Sequence, residues 1–325
     1  MVENYTLAKK IVSKKYNKDY PYYSMMVLSV CALLTKYSNY KEIVDKVFQE
    51  TIMYIENDKV SDIIKKYQIE DAPEEDEEEN DDEYNIITGI SYPRDGYGID
   101  DNGNLIHCQT NPYLICTTHH KNPVILLNSF VHEMSHLIKS FLDVRRRETK
   151  DLIYCNRSGL AYSQLKYDRK TDCLTQTDYY SILEEVINTV QTTEMMEMIK
   201  SLDGIIPDKE IQDYLDSLDK DSLTDDIGYN VPLETFKQLW KSDSFKELIE
   251  ENIVEGNTDI VEEEFNSIVG KNALNNLSDI LEDLFYIVDL TETEEEEEEL
   301  LIELRKKAEK IINKYIQSIK RYNKK

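Results

Sequence analysis

The sequence predicts a mostly helical α+β protein, in which a small sheet packs beside one motif-bearing helix and helical regions precede and follow this core. Helix-like apolar spacing fills both ends of the 325-residue chain. β-Branched and aromatic residues set between turn-forming residues are concentrated in the middle of the chain. The chain holds only 9 Gly and 7 Pro, which argues against a turn-rich all-β fold.

The charge balance argues against some classes of binding partner. The chain carries 38 Lys and Arg against 65 Asp and Glu, a net charge of −27. Because clustered Lys and Arg drive phosphate binding, we expect neither nucleic acid nor an anionic membrane as a partner. Residues 25–34, the longest apolar stretch, are too few to span a bilayer.

The cysteines and the first residues indicate the compartment. Five cysteines, an odd number without CxxC spacing, argue against a disulfide framework and against a structural zinc ribbon. The first residues lack the apolar stretch of a secretory signal. We therefore expect a reduced, cytoplasmic protein.

The elements are predicted in chain order from these patterns. Residues 1–69 form an N-terminal helical region, in which apolar residues repeat at three- and four-residue spacing as far as Ile55. Residues 70–83 are strongly acidic and are predicted to form a solvated loop or linker. Residues 84–200 form the core, and residues 201–325 form a C-terminal helical region with breaks at residues 228–232, Gly256 and Gly270.

The core is predicted to alternate strands and helices. Residues 84–127 form strands, with a hairpin turn at residues 101–104 and a last strand at residues 124–127. A helix capped by Asn128 or Ser129 comes next. A second hairpin turns near Gly159, and a second helix, capped by Asp178, covers about residues 178–200.

The first helix of the core carries His132-Glu133-Met134-Ser135-His136, an HExxH motif. Side chains at positions i and i+4 of a helix share one face, so both imidazoles can bind one metal ion. The Glu133 carboxylate lies where it can take a proton from a metal-activated water. Imidazoles, a carboxylate and an open position suit Zn²⁺ better than Mg²⁺ or Ca²⁺. The motif predicts a zinc site with Glu133 as general base.

An HExxH helix that follows a small sheet and precedes a Glu-bearing helix resembles the gluzincin clan of zinc metallopeptidases. The resemblance covers about residues 84–200 and implies that the third zinc ligand is a Glu on the downstream helix. Aligned on Leu183, Glu185 takes the position of the clan's ligand, and Asn188 stands where Thr is frequent. It also implies peptide bonds as the substrate.

On the residues alone, the third ligand stays open. Glu184 and Glu185 flank the apolar face of their helix at similar angles, on opposite sides. Glu185 shares its flank with a semi-polar strip that could line a cleft, which favours it. An upstream cysteine, Cys108 or Cys116, is the alternative, as in peptide deformylase, whose glycine-rich and Cys-containing motifs are missing here.

Peptide hydrolysis also needs a donor for the developing oxyanion. Gluzincins commonly use Tyr, His or Arg, and the donors predicted here are Tyr162 and Tyr180, near the two helices. Tyr179, Arg157 and His120 are further candidates.

The sequence thus predicts a zinc metallopeptidase, a hydrolase in which His132, His136 and Glu185 hold Zn²⁺. The substrate is a peptide or protein, and the strong negative charge favours basic ones. Two alternatives stay open. One is a catalytically inactive, peptidase-like binding or scaffold protein, against which the presence of Glu133 argues. The other is a zinc hydrolase of non-peptide amides, since HExxH specifies water activation and not the acyl group.

Overall fold

A computed structural model describes residues 2–55, 89–116, 122–142, 147–224, 229–291 and 293–322. Within them lie eleven α-helices and nine strands, which confirms the mostly helical α+β class. The acidic run at residues 70–83 lies outside the described residues, as do His119 and His120. None of the helices in the described ranges is long and apolar enough to cross a membrane.

The helices are α1 (Val2–Ser13), α2 (Tyr23–Lys36), α3 (Lys41–Glu50), α4 (Pro123–Ser140), α5 (Ser181–Lys200), α6 (Lys209–Ser217), α7 (Asn230–Trp240), α8 (Asp243–Asn252), α9 (Thr258–Val269), α10 (Ala273–Phe285) and α11 (Glu294–Tyr322). The strands are β1 (Ile52–Tyr54), β2 (Gly89–Tyr92), β3 (Asp95–Ile99), β4 (Leu105–Gln109), β5 (Tyr113–Cys116), β6 (Arg147–Glu148), β7 (Leu152–Ser158), β8 (Ala161–Asp168) and β9 (Cys173–Tyr179).

The chain divides into two compact units, each discontinuous in sequence. The first comprises the described parts of residues 1–92, 111–137 and 194–225, and the second those of residues 93–110, 138–193 and 226–325. The predicted division into four consecutive regions stays a prediction.

The first unit combines helices with a three-stranded sheet. Helix α2 is apolar on all sides and buried along nearly its whole length, as a central helix should be. It packs against α1, α3 and α6. The sheet has the order β1-β5-β2, in which β5 pairs parallel with β1 and antiparallel with β2. Strand β2 is therefore an outer strand.

The sequence prediction was wrong at residues 52–55, which were assigned to a helix. Helix α3 ends at Glu50, and the backbone of Thr51 is extended. Lys15 donates to the carbonyl of Phe48 at 3.0 Å, which satisfies one of the free carbonyls at this helix end. The residues that follow, Ile52 and Tyr54, are of strand-forming types and pair with β5.

The boundaries of α4 and α5 also differ from the prediction. Residues 124–127 are helical because α4 begins at Pro123, a favoured first helical residue. Its cap is Asn122, whose Oδ1 accepts from the backbone N–H of Val124 at 2.9 Å, and not Asn128 or Ser129. Asp178 does not cap α5. It lies in β9, where its carboxylate accepts from the Ser163 hydroxyl.

The second unit holds the remaining strands and the C-terminal helices. β3 and β4 form a hairpin around the predicted turn at residues 101–104, and β6-β7-β8-β9 form an antiparallel sheet. The turn between β7 and β8 contains Gly159 with φ +53°, a left-handed conformation that suits glycine. Helices α7–α11 enclose aromatic rings, among which Phe265 and Tyr315 stack at 5.0 Å between centroids.

Candidate metal centre

Helix α4 presents the HExxH motif from a strongly buried position. Phe130, Met134 and Leu137 lie on its apolar face and are at most 2% exposed. Ser135, inside the motif, is fully buried, and its hydroxyl shares a hydrogen bond with that of Tyr37. The helix is therefore fixed by apolar packing and by one polar contact within the motif itself.

Three side chains come together as a group able to hold a metal ion. One ligand atom each from His132, His136 and Glu185 lies within 4.8 Å of the others. The two Nε2 atoms are 3.1 Å apart, and the imidazole rings are inclined at 71°. His136 is buried, whereas His132 and Glu185 are half-buried. Two of the three side chains are therefore partly exposed to solvent.

This donor set fits zinc. Ligand atoms about 2.0–2.1 Å from a tetrahedral zinc ion lie about 3.3 Å apart, close to the separation of the two Nε2 atoms. The other separations, at most 4.8 Å, can close through side-chain torsions. Two imidazoles and one carboxylate also leave a fourth position for water or substrate, as catalytic zinc sites do. Among the described residues, no other group of His, Cys, Asp and Glu brings its ligand atoms together in a way that could hold a metal ion.

Glu133 directly follows His132 in α4 and is closely packed. It is only 9% exposed. A Cβ added at Gly89 would lie 2.9 Å from Cγ of Glu133 and 3.2 Å from its Oε1, so strand β2 passes directly against this side chain. Packing this tight limits the rotamers that the carboxylate can adopt.

Glu184 has a different environment from its neighbour Glu185. It is 1% exposed, and its Oε1 accepts a charge-assisted hydrogen bond from the ammonium of Lys139. Its Oε2 accepts from the backbone N–H of Leu160 at 2.9 Å. Lys139 also donates to Oδ1 of Asn188 at 2.7 Å. Removing one member of a buried ion pair costs about 3–5 kcal/mol, so Glu184 could bind a metal ion only at the expense of this pair.

Lys139 was not among the residues predicted from the sequence. Its signal was a single cation among the apolar residues of the sequence Leu137-Ile138-Lys139, one turn after His136. A buried lysine requires an anionic partner, and Glu184, 45 residues away along the chain, supplies it.

The two cysteine alternatives receive no support from the geometry. Cys108 is exposed on β4, and Cys116 is buried on β5, and neither belongs to the group of three ligands. Burial, and secondarily the nearby Glu133 carboxylate, raises the pKa of the Cys116 thiol well above its ordinary value. Zinc binds the thiolate, whose formation this environment opposes.

Of the predicted oxyanion donors, Tyr180 lies at the junction of β9 and α5, and Tyr162 lies on β8. The Tyr162 ring stacks on Tyr179 at 4.8 Å, and its centroid is 6.2 Å from that of Tyr180. The Tyr180 hydroxyl donates to Oδ1 of Asn275 on α10. Burial is the largest of the effects that raise the pKa of Tyr180, and Glu262 adds to it. Tyr180 is therefore engaged with the C-terminal helices, while the catalytic role of both residues stays a prediction.

Comparisons with protein-family models, with curated proteins and with solved structures give no match to this chain.

Proposed function

We propose that the protein is a zinc-dependent peptidase. The observation that carries this proposal is the convergence of His132, His136 and Glu185, which offers two imidazole nitrogens and a carboxylate oxygen around one point. The general base predicted by the motif, Glu133, is adjacent to the first ligand in sequence and is held tightly in place. This combination is what metal-assisted hydrolysis requires.

The proposed chemistry divides simply among the side chains. Bound zinc would lower the pKa of water toward about 7 and polarise the substrate carbonyl. Glu133 takes one proton from the attacking water as its oxygen bonds to the carbonyl carbon. It then delivers this proton to the amide nitrogen as the C–N bond breaks, which gives a carboxylic acid and an amine. Tyr162 or Tyr180 donates a hydrogen bond to the former carbonyl oxygen.

Strand β2 supports an extended peptide as the substrate. It is an outer strand of its sheet, and no other strand in the described part of the chain pairs with its second edge. Its first residue, Gly89, lies against Glu133. A peptide added at this edge by main-chain pairing would therefore pass beside the general base. The net charge of −27 favours basic peptides as substrates. A cytoplasmic location stays a prediction.

Zinc content and peptide turnover together test the proposal. We expect near-stoichiometric zinc in the purified wild-type protein, none in His132→Ala and strongly reduced zinc in Glu185→Gln. Glu197→Gln is the matched control because Glu197 is an exposed glutamate on the same helix, and it should keep its zinc. A wild-type protein that binds no supplied zinc would contradict the proposal.

A peptide library then separates the proposal from its alternatives. We expect zinc-dependent cleavage by the wild-type protein and by Glu197→Gln. Stoichiometric zinc without cleavage of any peptide would favour a binding protein or a hydrolase of non-peptide amides.

A further inference from the structure

A buried polar network joins helices α4 and α5 next to the proposed ligands. The Lys139 side chain is 0% exposed and the Glu184 side chain 1% exposed. The Lys139 ammonium donates both to Oε1 of Glu184 and, at 2.7 Å, to Oδ1 of Asn188. Because Glu184 and Asn188 are four residues apart, they share one face of α5, and the single ammonium bridges them.

The same carboxylate is fixed from its other side by the β7–β8 turn. Its Oε2 accepts from the backbone N–H of Leu160 at 2.9 Å, and a Cβ at Gly159 would clash with this oxygen. The carbonyl of Leu160 in turn accepts from the buried Thr258 hydroxyl at 3.0 Å, at the start of α9. Glu184 thus has partners on both oxygens and little freedom to move.

The network lies in register with the ligands. Lys139 is three residues after His136, and Glu184 immediately precedes Glu185. Successive residues of a helix are rotated by about 100°, so fixing the direction of Glu184 also fixes the direction in which Glu185 leaves α5. In the same way, Lys139 limits the rotation of α4 and with it the direction of His136.

We propose that Lys139 and Glu184, with Asn188, are positioning residues that hold Glu185 and His136 in the orientation needed for metal binding. The inference rests on the proposed zinc site and assigns it a support that acts without touching the metal. It also gives a reason for an ion pair at this buried position, where apolar residues of similar volume are often equally stable or more so. Groups that orient metal ligands commonly change metal affinity about 10- to 100-fold when they are removed.

The double variant Lys139→Met/Glu184→Gln tests the proposal in the full-length protein. It removes both charges together, keeps side chains of similar size and leaves an oxygen to accept from Leu160. Zinc affinity is measured by competition with a chelating dye, and the Tm is measured on the zinc-free protein. We expect a Tm near that of the wild type and a zinc Kd raised about 10- to 100-fold.

Two single variants make the result decisive. Asn188→Ala removes one acceptor of the ammonium, and we expect it to fold and to raise the zinc Kd by about tenfold, even if the double variant does not fold. Glu194→Gln is the control. It breaks an ion pair on a later turn of α5, in which Oε2 of Glu194 lies 2.6 Å from Nζ of Lys36. We expect it to leave the zinc Kd unchanged.

Each remaining outcome overturns a different statement. A wild-type zinc Kd in a folded double variant, or in Asn188→Ala, would overturn the positioning role while leaving the zinc site intact. A wild-type protein that binds no zinc would overturn the proposed function and this inference together.

Discussion

At the scale of single residues, Glu133 can be separated from the ligands around it. Its proposed role is proton transfer, which accelerates the reaction about 10²- to 10⁴-fold in enzymes that use a general base. Glu133→Gln keeps the size of the side chain and leaves all three ligands of the group unchanged. We expect this variant to retain zinc, by elemental analysis, and to lose peptide cleavage by about that factor. Turnover near the wild-type rate would assign the proton transfer to another group.

Gly89 is the second residue at which a small change should alter the chemistry. In Gly89→Ala the new methyl group would lie 2.9 Å from Cγ of Glu133, closer than side chains tolerate, so the general base has to move. Because displacements near 1 Å at a catalytic group can cost about 10²-fold, we expect kcat to fall by about that factor. Zinc content should not change.

Gly98→Ala is the matched control for Gly89→Ala. Gly98 also lies in a strand, but the added Cβ would be 3.7 Å from Cγ1 of Ile106, an ordinary van der Waals distance. We expect wild-type kcat from this variant. If Gly89→Ala is as active as Gly98→Ala, the carboxylate of Glu133 tolerates displacement and its close packing has no catalytic role.

At the scale of elements, the junction of β9 and α5 is where structural and catalytic tyrosines can be told apart. Tyr180 has φ +62° and donates its hydroxyl hydrogen bond to Asn275, so it joins this junction to α10. We expect Tyr180→Phe to lower the free energy of unfolding by about 1 kcal/mol, the usual worth of one hydrogen bond. Urea unfolding measures the loss, and Asn275→Ala should reproduce it.

Tyr162→Phe gives the contrasting expectation. As the remaining predicted donor, Tyr162 should matter for the transition state, and loss of one oxyanion donor costs about 10²- to 10³-fold in kcat. We expect this loss with little change in the urea midpoint. If instead Tyr180→Phe lowers kcat and Tyr162→Phe does not, the two roles are exchanged.

The helices that carry the site were predictable, but their ends and their long-range partners were not. The HExxH spacing placed His132 and His136 on one helical face from local geometry alone. The start of α4 was misplaced because the apolar residues 124–127 suit a strand as well as a buried helix, and Asn122 and Pro123 decide between them. Sequence patterns predict the end of a helix correctly only where its capping residue is identified.

The choice between Glu184 and Glu185 shows more clearly what local sequence patterns cannot predict. On a helical wheel the two glutamates are nearly equivalent, and only the semi-polar flank of Glu185 and the alignment with a resembling clan favoured it over Glu184. The structure separates them because Lys139 and the N–H of Leu160 take both oxygens of Glu184. Those partners lie 45 and 24 residues away along the chain, beyond the range of any periodicity.

At the scale of the whole molecule, buried tyrosines link stability to alkaline pH. Tyr315 is 1% exposed, and burial, with a smaller contribution from Glu264, raises its pKa to about 12. In the unfolded chain the same hydroxyl ionises near pH 10. Between these values the folded state binds the proton more tightly, so the stability that this group contributes is fully present below pH 10 and is lost as pH rises toward 12.

This coupling predicts a specific effect of Tyr315→Phe. One proton held by the folded state lowers the free energy of unfolding by at most about 1.4 kcal/mol for each unit that the pH rises. The variant should lack this contribution to the pH dependence. The growing negative charge of the chain destabilises both proteins alike and cancels in the difference between them. Urea unfolding at pH 9, 10 and 11 would measure it, with Tyr286→Phe, at a position that is 44% exposed, as the control. If wild type and Tyr315→Phe lose stability in parallel above pH 10, this buried hydroxyl does not set the alkaline limit of the fold.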